Sequence, residues 1–374
     1  MDFSLTSEQQ ALADSVARYC ERDYDLARRH AIMTSSEGIC RRQWATFAEL
    51  GWLGAGLDEA QGGFGGGAIE NTLIIEQAGR ALVVEPLISC AIIALQTLAA
   101  LPSSPPRDQL IEAIVAGEAI VVLAHGEAAA HSERSYFATA ASRDEFGWHL
   151  TGTKSLVLAA GVADRLLVTA TTEQGPALFV VDAQSAGLQR HDYRLVDNHR
   201  AADLVLAAVN APEPLAVGPE VTDAIDAGLD HGLIGLCAEA VGIMDLAIAT
   251  TRDYLKARRQ FGTTLNTFQA LQHRMADMLV EVELSRSILY GALSVIGESA
   301  AARARTICAM KAVVSSAAMF VGRNAVQLHG GIAITEECVV SHLYRRLFTI
   351  SRMLGDEEVH LRRLAEISRQ AGPR

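Results

Sequence analysis

The sequence predicts an α+β multidomain chain: an N-terminal α-helical domain, a central antiparallel β-barrel or sandwich domain, and a C-terminal four-helix bundle. Three observations carry this. Apolar residues recur at helical spacing through residues 1–117, strand-length apolar runs separated by glycines fill 118–212, and long helical segments with short connections fill 213–374.

Taken in order, Ser7-Glu8-Gln9-Gln10 fits a capping box with Ser7 as the cap and Gln10 reaching back, and Leu12, Val16 and Tyr19 follow at helical spacing. A second helix holds Trp44, Phe47, Leu50 and Trp52, and a third runs from Glu70 to about Leu82. Glu85-Pro86 ends it, because proline disfavours helix at the residue before it. A further helix is expected over 88–100, then a loop from Pro102 to Pro106. Strands are expected at Ala119–Ala124, Phe137–Ser142, Trp148–Leu158, Arg165–Thr171, Ala177–Asp182 and Asp203–Val209, with no helical segments between them, which excludes a βαβ fold. The bundle helices are expected at about 222–256, 268–298, 301–328 and 338–370, the last with an interruption at Gly355.

The 374 residues, 50% hydrophobic and 20% charged, suffice for two or three domains and a large core, and exclude a disordered or collagenous chain. With 32 Lys+Arg against 44 Asp+Glu, the formal charge of -12 argues against general binding to nucleic acid or anionic membrane. The six cysteines show no C-x-x-C spacing and read as reduced thiols of a cytosolic protein. MDFSLTSEQQ lacks the basic and apolar regions of a signal peptide. No stretch reaches the roughly 18–20 uninterrupted apolar residues of a membrane span, so a cytoplasmic location without a span is expected.

The glycine run Gly62 to Gly67 lacks the spacing and Lys-Ser/Thr end of a phosphate loop and reads as a flexible helix–helix connection. His273, His329, His342 and His360 fall in no metal-ligand spacing, and no serine sits in a G-x-S-x-G elbow. Two segments are more specific. Arg258-Arg259-Gln260-Phe261-Gly262, with Gln269 soon after, joins two long helices. An arginine beside an aromatic ring and amides suits a dinucleotide: a guanidinium for pyrophosphate, a wall and amide donors. The plainer reading is a solvated helix–helix turn. Gln327-Leu328-His329-Gly330-Gly331 ends a long helix, where two glycines allow close approach of another molecule or simply cap the helix.

Together these segments resemble the acyl-CoA dehydrogenase family of flavoproteins, over nearly the whole chain. Phe3 to Gln9 looks like the family's opening, Trp44 to Trp52 followed by Gln61-Gly62-Gly63 like its second block, and Gly152-Thr153-Lys154 like its Gly-x-Lys. The resemblance implies FAD, an acyl-CoA thioester substrate, a tetramer, and an electron-transfer flavoprotein as acceptor. It assigns Arg258, Gln260, Phe261, Gln269, Gln327, Gly330 and Gly331 to FAD, largely that of a neighbouring subunit. The implied reaction is α,β-dehydrogenation, in which a desolvated carboxylate removes the α-proton and hydride passes to the flavin.

The departures bear on that reaction. The family's usual base position falls on Leu354, just before Gly355, and the minority position falls on Gly232; neither can take a proton. Of nearby carboxylates, Asp230 lies about 200° around the helix from Gly232, and Glu239 shares its face about 10.5 Å further along. Asp356 follows Leu354 by two residues. Glu239 is therefore the candidate catalytic base, with pairing inside the bundle as its structural alternative. Near the flavin ring, Gly126-Glu127-Ala128 replaces a Thr-Glu-Pro-like segment, and Leu156 and Leu158 replace a stacking Trp and a hydroxyl-bearing Thr.

Two forms follow: a complete homotetramer using Glu239, or a catalytically silent partner in an α2β2 heterotetramer of the kind expected in acyl-chain or sterol side-chain catabolism. The silent partner would lend Arg258, Gln260 and Gln327 to a base-bearing chain's flavin. The alternatives are a flavin-dependent monooxygenase on the same scaffold and a structural protein without flavin. Gly232, Ala238 and Gly242 either widen a substrate pocket or permit close helix packing.

Overall fold

The computed structural model describes residues 4–130 and 133–370; Phe3 of the expected opening block lies outside them. The chain condenses into two compact units, one of Met1–Arg29, Thr72–Val83 and Leu233–Arg374, the other of His30–Asn71 and Val84–Gly232.

In the second unit, α3 (Arg41–Glu49) buries Trp44 and Phe47, and Phe47 stacks on Trp52 with ring centroids 4.5 Å apart. Two glycines of the run that follows, Gly63 and Gly66, are tightly packed. A Cβ on Gly63 would lie 2.3 Å from the Leu57 carbonyl oxygen and one on Gly66 2.2 Å from that of Ala55, so no side chain fits at either. The helix expected over 88–100 opens as a fully buried π-helical stretch, Leu87–Ala94, and continues as α5 (Leu95–Ala99). The loop expected at Pro102–Pro106 gives way at Pro105 to α6 (Pro105–Val115), because two prolines in the first turn forfeit only N–H groups that a helix start leaves unused.

The central sheet runs in the order β6-β7-β3-β2-β4-β5-β8, with β1 beside β4. Its strands are β1 (Val121–Ala124), β2 (Ala140–Asp144), β3 (Gly147–Leu158), β4 (Arg165–Thr172), β5 (Gly175–Asp182), β6 (Leu188–Arg194), β7 (Arg200–Ala211) and β8 (Ala216–Val217). It is sandwich-like and does not close into a barrel among the described residues. The sheet is also mixed, which corrects the antiparallel expectation: β1 and β2 both pair with β4 in parallel. Strand order depends on which segments meet, and apolar runs do not encode that. β6 was not expected because LQRHDYR has no apolar alternation; it is an edge strand with polar, exposed positions.

In the first unit, α1 (Ser7–Asp23) is capped by Thr6, one residue earlier than expected. The Gln9 amide N–H donates to Thr6 Oγ1 at 3.1 Å and the Thr6 N–H to Gln9 Oε1 at 3.0 Å. Thr6 keeps extended backbone, so Gln9 rather than Gln10 occupies the third helical position. The bundle follows with α7 (Pro219–Ala257, in this unit from Leu233), α8 (Gln269–Leu293), α9 (Ala300–His329), α10 (Val339–Arg352) and α11 (Glu357–Gln370). α9 packs on α8, α10 and α11 through a stripe that includes Met310, Val314, Ala317, Val321 and Ala325. The expected interruption is present: Leu354 and Gly355 have φ of 55° and 97° between α10 and α11.

α7 and α4 (Ala68–Arg80) cross closely. A Cβ on Gly242 would lie 2.0 Å from the Glu76 carbonyl oxygen, and one on Gly79 2.7 Å from that of Glu239. Gly242 therefore serves helix packing. Contrary to the sequence expectation, Pro219–Ala257 and Ala300–Ile334 are long and apolar enough to cross a membrane by length and composition, but 78% and 56% of their apolar windows are buried inside the protein.

Candidate functional site

The two segments singled out in the sequence both lie in the bundle unit. α7 ends at Ala257 and the chain turns through a short hairpin, β9 (Arg259–Gln260) against β10 (Thr263–Thr264). Its tip, Phe261 and Gly262, has φ of 52° and 80°. Positive φ at both tip positions is the usual requirement of a tight hairpin turn, and at a phenylalanine it costs about 1–3 kcal/mol. The Phe261 ring is 87% exposed and touches only Phe268 edge-on, with centroids 6.1 Å apart. The Arg258 N–H donates to the Tyr254 carbonyl at 2.8 Å, and its carbonyl accepts from the Leu265 N–H at 2.9 Å. The backbone is thus fixed while the Arg258, Gln260 and Gln269 side chains are exposed. α8 starts at Gln269 with no side-chain cap, so its first-turn N–H groups and the helix dipole favour an anion.

The second segment ends α9. Gly330 has φ of 66° and its N–H donates to the Val326 carbonyl, which helix capping explains. Gly331 is different. Its φ is not positive, and a Cβ there would meet nothing within 4 Å. The fold imposes no glycine at that position, so the second glycine is spare surface open to another molecule. Gln327, Ile332 and Ile334 are exposed beside it, Ile334 at 79%.

The structure brings the two segments together. Tyr254, in the last turn of α7, stacks on His329, the last residue of α9, with centroids 4.4 Å apart and planes at 24°. The Tyr254 hydroxyl donates to the His329 carbonyl at 3.2 Å. Neither ring was singled out from the sequence; Tyr254, one helical turn before Arg258, was the available signal.

The carboxylates near the expected base positions are all engaged. Glu239 is buried, and Arg346 Nε and Nη2 donate to Oε1 and Oε2 at 2.6 Å each. This is the forked pair of the structural alternative, and proton abstraction by Glu239 would require opening it. Asp230 is buried and accepts from Arg134 Nη1 at 2.8 Å, which also reaches Asp226 at 2.9 Å. Asp356 caps α11 by accepting from the Val359 N–H at 3.1 Å and pairs with Arg352 at 2.9 Å. That backbone bond, with the Arg352 guanidinium, holds its carboxyl below the usual range.

Leu354, which the resemblance places at the usual base position, carries no titratable group. Leu354 is left-handed, its carbonyl accepts from His360 Nε2 at 2.9 Å, and Lys311 Nζ donates to the Ile350 carbonyl at 2.7 Å and to Ser315 Oγ at 3.1 Å. Burial pushes the Lys311 ammonium down to about 8.

In the sheet unit, the flagged segments Gly126–Ala128 and Gly152–Lys154 are joined by a buried ion pair. Lys154 Nζ donates to Glu127 Oε1 at 2.7 Å and to Thr169 Oγ1 at 3.0 Å. Thr139 N–H and Oγ1 also donate to Glu127 Oε1 at 3.0 and 2.8 Å, and the Ala138 N–H donates to Oε2 at 3.0 Å. The Thr169 hydroxyl also meets His125 Nδ1 at 3.1 Å. Burial and the Lys154 charge push the His125 ring down to about 4, so it is neutral. Leu156 sits on a bulge with φ of 54°, its N–H donating to Asp203 Oδ1 at 2.9 Å and its side chain 49% exposed. Leu156 and Leu158 supply neither an aromatic face nor a hydroxyl donor.

Among the described residues no group of three or more His, Cys, Asp or Glu could hold a metal. All six cysteines are free, and burial raises the Cys90 and Cys237 thiols to about 12, which keeps them protonated and inert.

Residues 6–118 match the family described as acyl-CoA dehydrogenase, N-terminal domain, and residues 222–368 the acyl-CoA dehydrogenase, C-terminal domain. The chain is 30% identical to acyl-CoA dehydrogenase FadE12 of Mycobacterium tuberculosis, over 98% of this chain and 94% of that protein. Among solved structures, the Tcur3481-Tcur3483 steroid ACAD superposes with a TM-score of 0.88 at 29% identity, covering 97% of this chain and 98% of that one. Butyryl-CoA dehydrogenase from Megasphaera elsdenii does so with 0.87 at 25%, covering 98% and 99%.

Proposed function

The chain belongs to the acyl-CoA dehydrogenase family, oxidoreductases acting on CH–CH bonds, and from that premise we propose that it is the base-less subunit of a two-chain enzyme, completing the FAD site of a related, base-bearing partner. The observation that carries this is the contrast between the two halves of the chemistry. The nucleotide-binding set faces outward, whereas Glu239, Asp230 and Asp356 are all committed to arginines and Leu354 stands where a base is expected.

The residues present fit the adenine dinucleotide end of FAD. Arg258 would meet the pyrophosphate, Gln260, Gln269 and Gln327 would donate amide hydrogen bonds, Phe261 would give an apolar wall, and Gly330 and Gly331 would let the backbone approach. They do not fit the ring end, where Leu156 and Leu158 offer no stacking wall and no hydroxyl. When bound, FAD supplies the hydride acceptor for α,β-dehydrogenation of an acyl-CoA. An electron-transfer flavoprotein is the acceptor that family membership implies.

Assembly is supported by the outer faces of α8 and α9. Leu279, Val280 and Leu284 on α8 and Val313 and Phe320 on α9 are 37–56% exposed, an apolar surface that a subunit interface would cover. The Tcur3481-Tcur3483 relative is itself named as a pair of chains.

The flavin-to-chain ratio tests the proposal. Expressed alone, the chain should retain little FAD; co-expressed with a related base-bearing chain, the purified complex should hold about one FAD per two chains, as a symmetric α2β2 assembly requires. A full flavin load on the lone chain together with dehydrogenase turnover would refute it. Hydroxylation of substrate with rapid flavin oxidation would instead favour the monooxygenase.

A further inference from the structure

We infer that Tyr254 and His329 are positioning residues that set the spacing between the two nucleotide-recognition segments, an inference that rests on the proposed dinucleotide site. Tyr254 holds both segments at once. Its backbone carbonyl accepts the Arg258 N–H at 2.8 Å, and its hydroxyl donates to the His329 carbonyl at 3.2 Å, immediately before Gly330. That carbonyl belongs to the last turn of α9, where intrahelical donors are missing, so the hydroxyl satisfies a group the helix cannot.

The rings add an orientation to the bond. They stack at 4.4 Å with planes within 24° of parallel, so the end of α9 cannot roll against α7 without losing contact area. His329 Nδ1 lies 2.9 Å from the Ala325 carbonyl, which can only accept; the proton is therefore on Nδ1 and Nε2 is bare. Burial holds the ring's pKa below its ordinary value, so the stack is one of neutral rings at neutral pH. His329 is 6% exposed, while Gln327, Gly330 and Gly331 around it and Arg258 to Gly262 across from it are exposed. A doubly tethered aromatic pair, its His329 ring buried and its Tyr254 ring half-buried, between two exposed recognition segments is what a fixed separation requires. The charge of the pyrophosphate and the amide contacts then meet their partners without either segment being ordered at the moment of binding.

The test uses the purified full-length chain with ADP as the probe, because ADP carries the pyrophosphate and adenosine expected on these segments. Tyr254→Phe keeps the stack and removes only the hydroxyl; Tyr254→Leu removes both. Amide exchange should rise together at 258–262 and 330–334 in Tyr254→Phe, and further in Tyr254→Leu, with thermal unfolding of Tyr254→Phe close to that of the parent. ADP affinity should fall about three- to tenfold in Tyr254→Phe, the loss of one neutral hydrogen bond, and more in Tyr254→Leu. Exchange that rises at one segment only or at neither, or a coupled rise with unchanged ADP affinity, overturns the inference. Should ADP bind neither the parent chain alone nor its flavin-free two-chain complex, the dinucleotide reading fails, while a coupled exchange response still upholds the clamp.

Discussion

Glu239 and Arg346 face each other inside the bundle unit through two hydrogen bonds of 2.6 Å, one to each carboxylate oxygen. Both side chains are almost wholly buried, so each is the other's counter-charge. Glu239→Ala should lower stability by about 3–5 kcal/mol, since it strands a buried guanidinium. Replacing both partners with apolar residues, Glu239→Leu with Arg346→Met, should recover most of that loss in urea unfolding. A Glu239→Ala variant that folds as stably as the parent but loses turnover would instead restore it as a base.

The two glycines after α9 should separate by function. Gly330→Ala strains a left-handed backbone and should destabilise by about 1–2 kcal/mol. Gly331→Ala places a methyl in open space and should leave the unfolding midpoint alone while weakening FAD retention in the two-chain complex. Flavin occupancy after gel filtration reads the difference.

Arg258 is exposed, so Arg258→Ala should scarcely change stability. In the two-chain complex it should weaken FAD retention by about 10- to 100-fold, the loss of a charge-assisted hydrogen bond. Unchanged retention would mean that the pyrophosphate lies elsewhere.

Gly242→Ala should destabilise by about 1–3 kcal/mol through overpacking, because its methyl would press on the backbone of α4 at Glu76 rather than on a side chain that could move aside. A wider or narrower substrate range with unchanged stability would argue for a pocket role. Thermal unfolding of the lone chain decides.

His125 ties sheet stability to pH. Its folded value of about 4 lies below the ordinary 6.5, so the unfolded chain binds the extra proton between them. This contribution is fully present above about 6.5 and is lost as pH falls through about 4, on the order of 3 kcal/mol in all. Urea unfolding at pH 7, 5 and 4 should show that decline in the parent and a flatter profile in His125→Asn, whose side-chain amide can still meet Thr169.

Much of the fold was legible because its signals are local. The helical period around Val16 or Trp44, the glycine at the α10–α11 break, and the Arg-x-Gln-Phe-Gly turn are each written within a few consecutive residues. The one-residue slip at the first cap, from Ser7 to Thr6, marks the limit of such signals: adjacent hydroxyl residues compete, and the backbone angle at Thr6 decides. The edge strand β6 escaped because exposed edges need no apolar alternation.

By itself the sequence determined the helical, sheet and helical order, and that Leu354 and Gly232, neither able to take a proton, stand where the family resemblance implies a base. Only the tertiary structure decided that Glu239 is half of an ion pair, that Gly242 lies at a close helix crossing, and that Tyr254 meets His329. Glu239 and Arg346 are 107 residues apart, and Tyr254 and His329 are 75. Side chains that far apart meet only because the helices pack in one particular arrangement, and that arrangement comes from many weak contacts summed over whole helix faces.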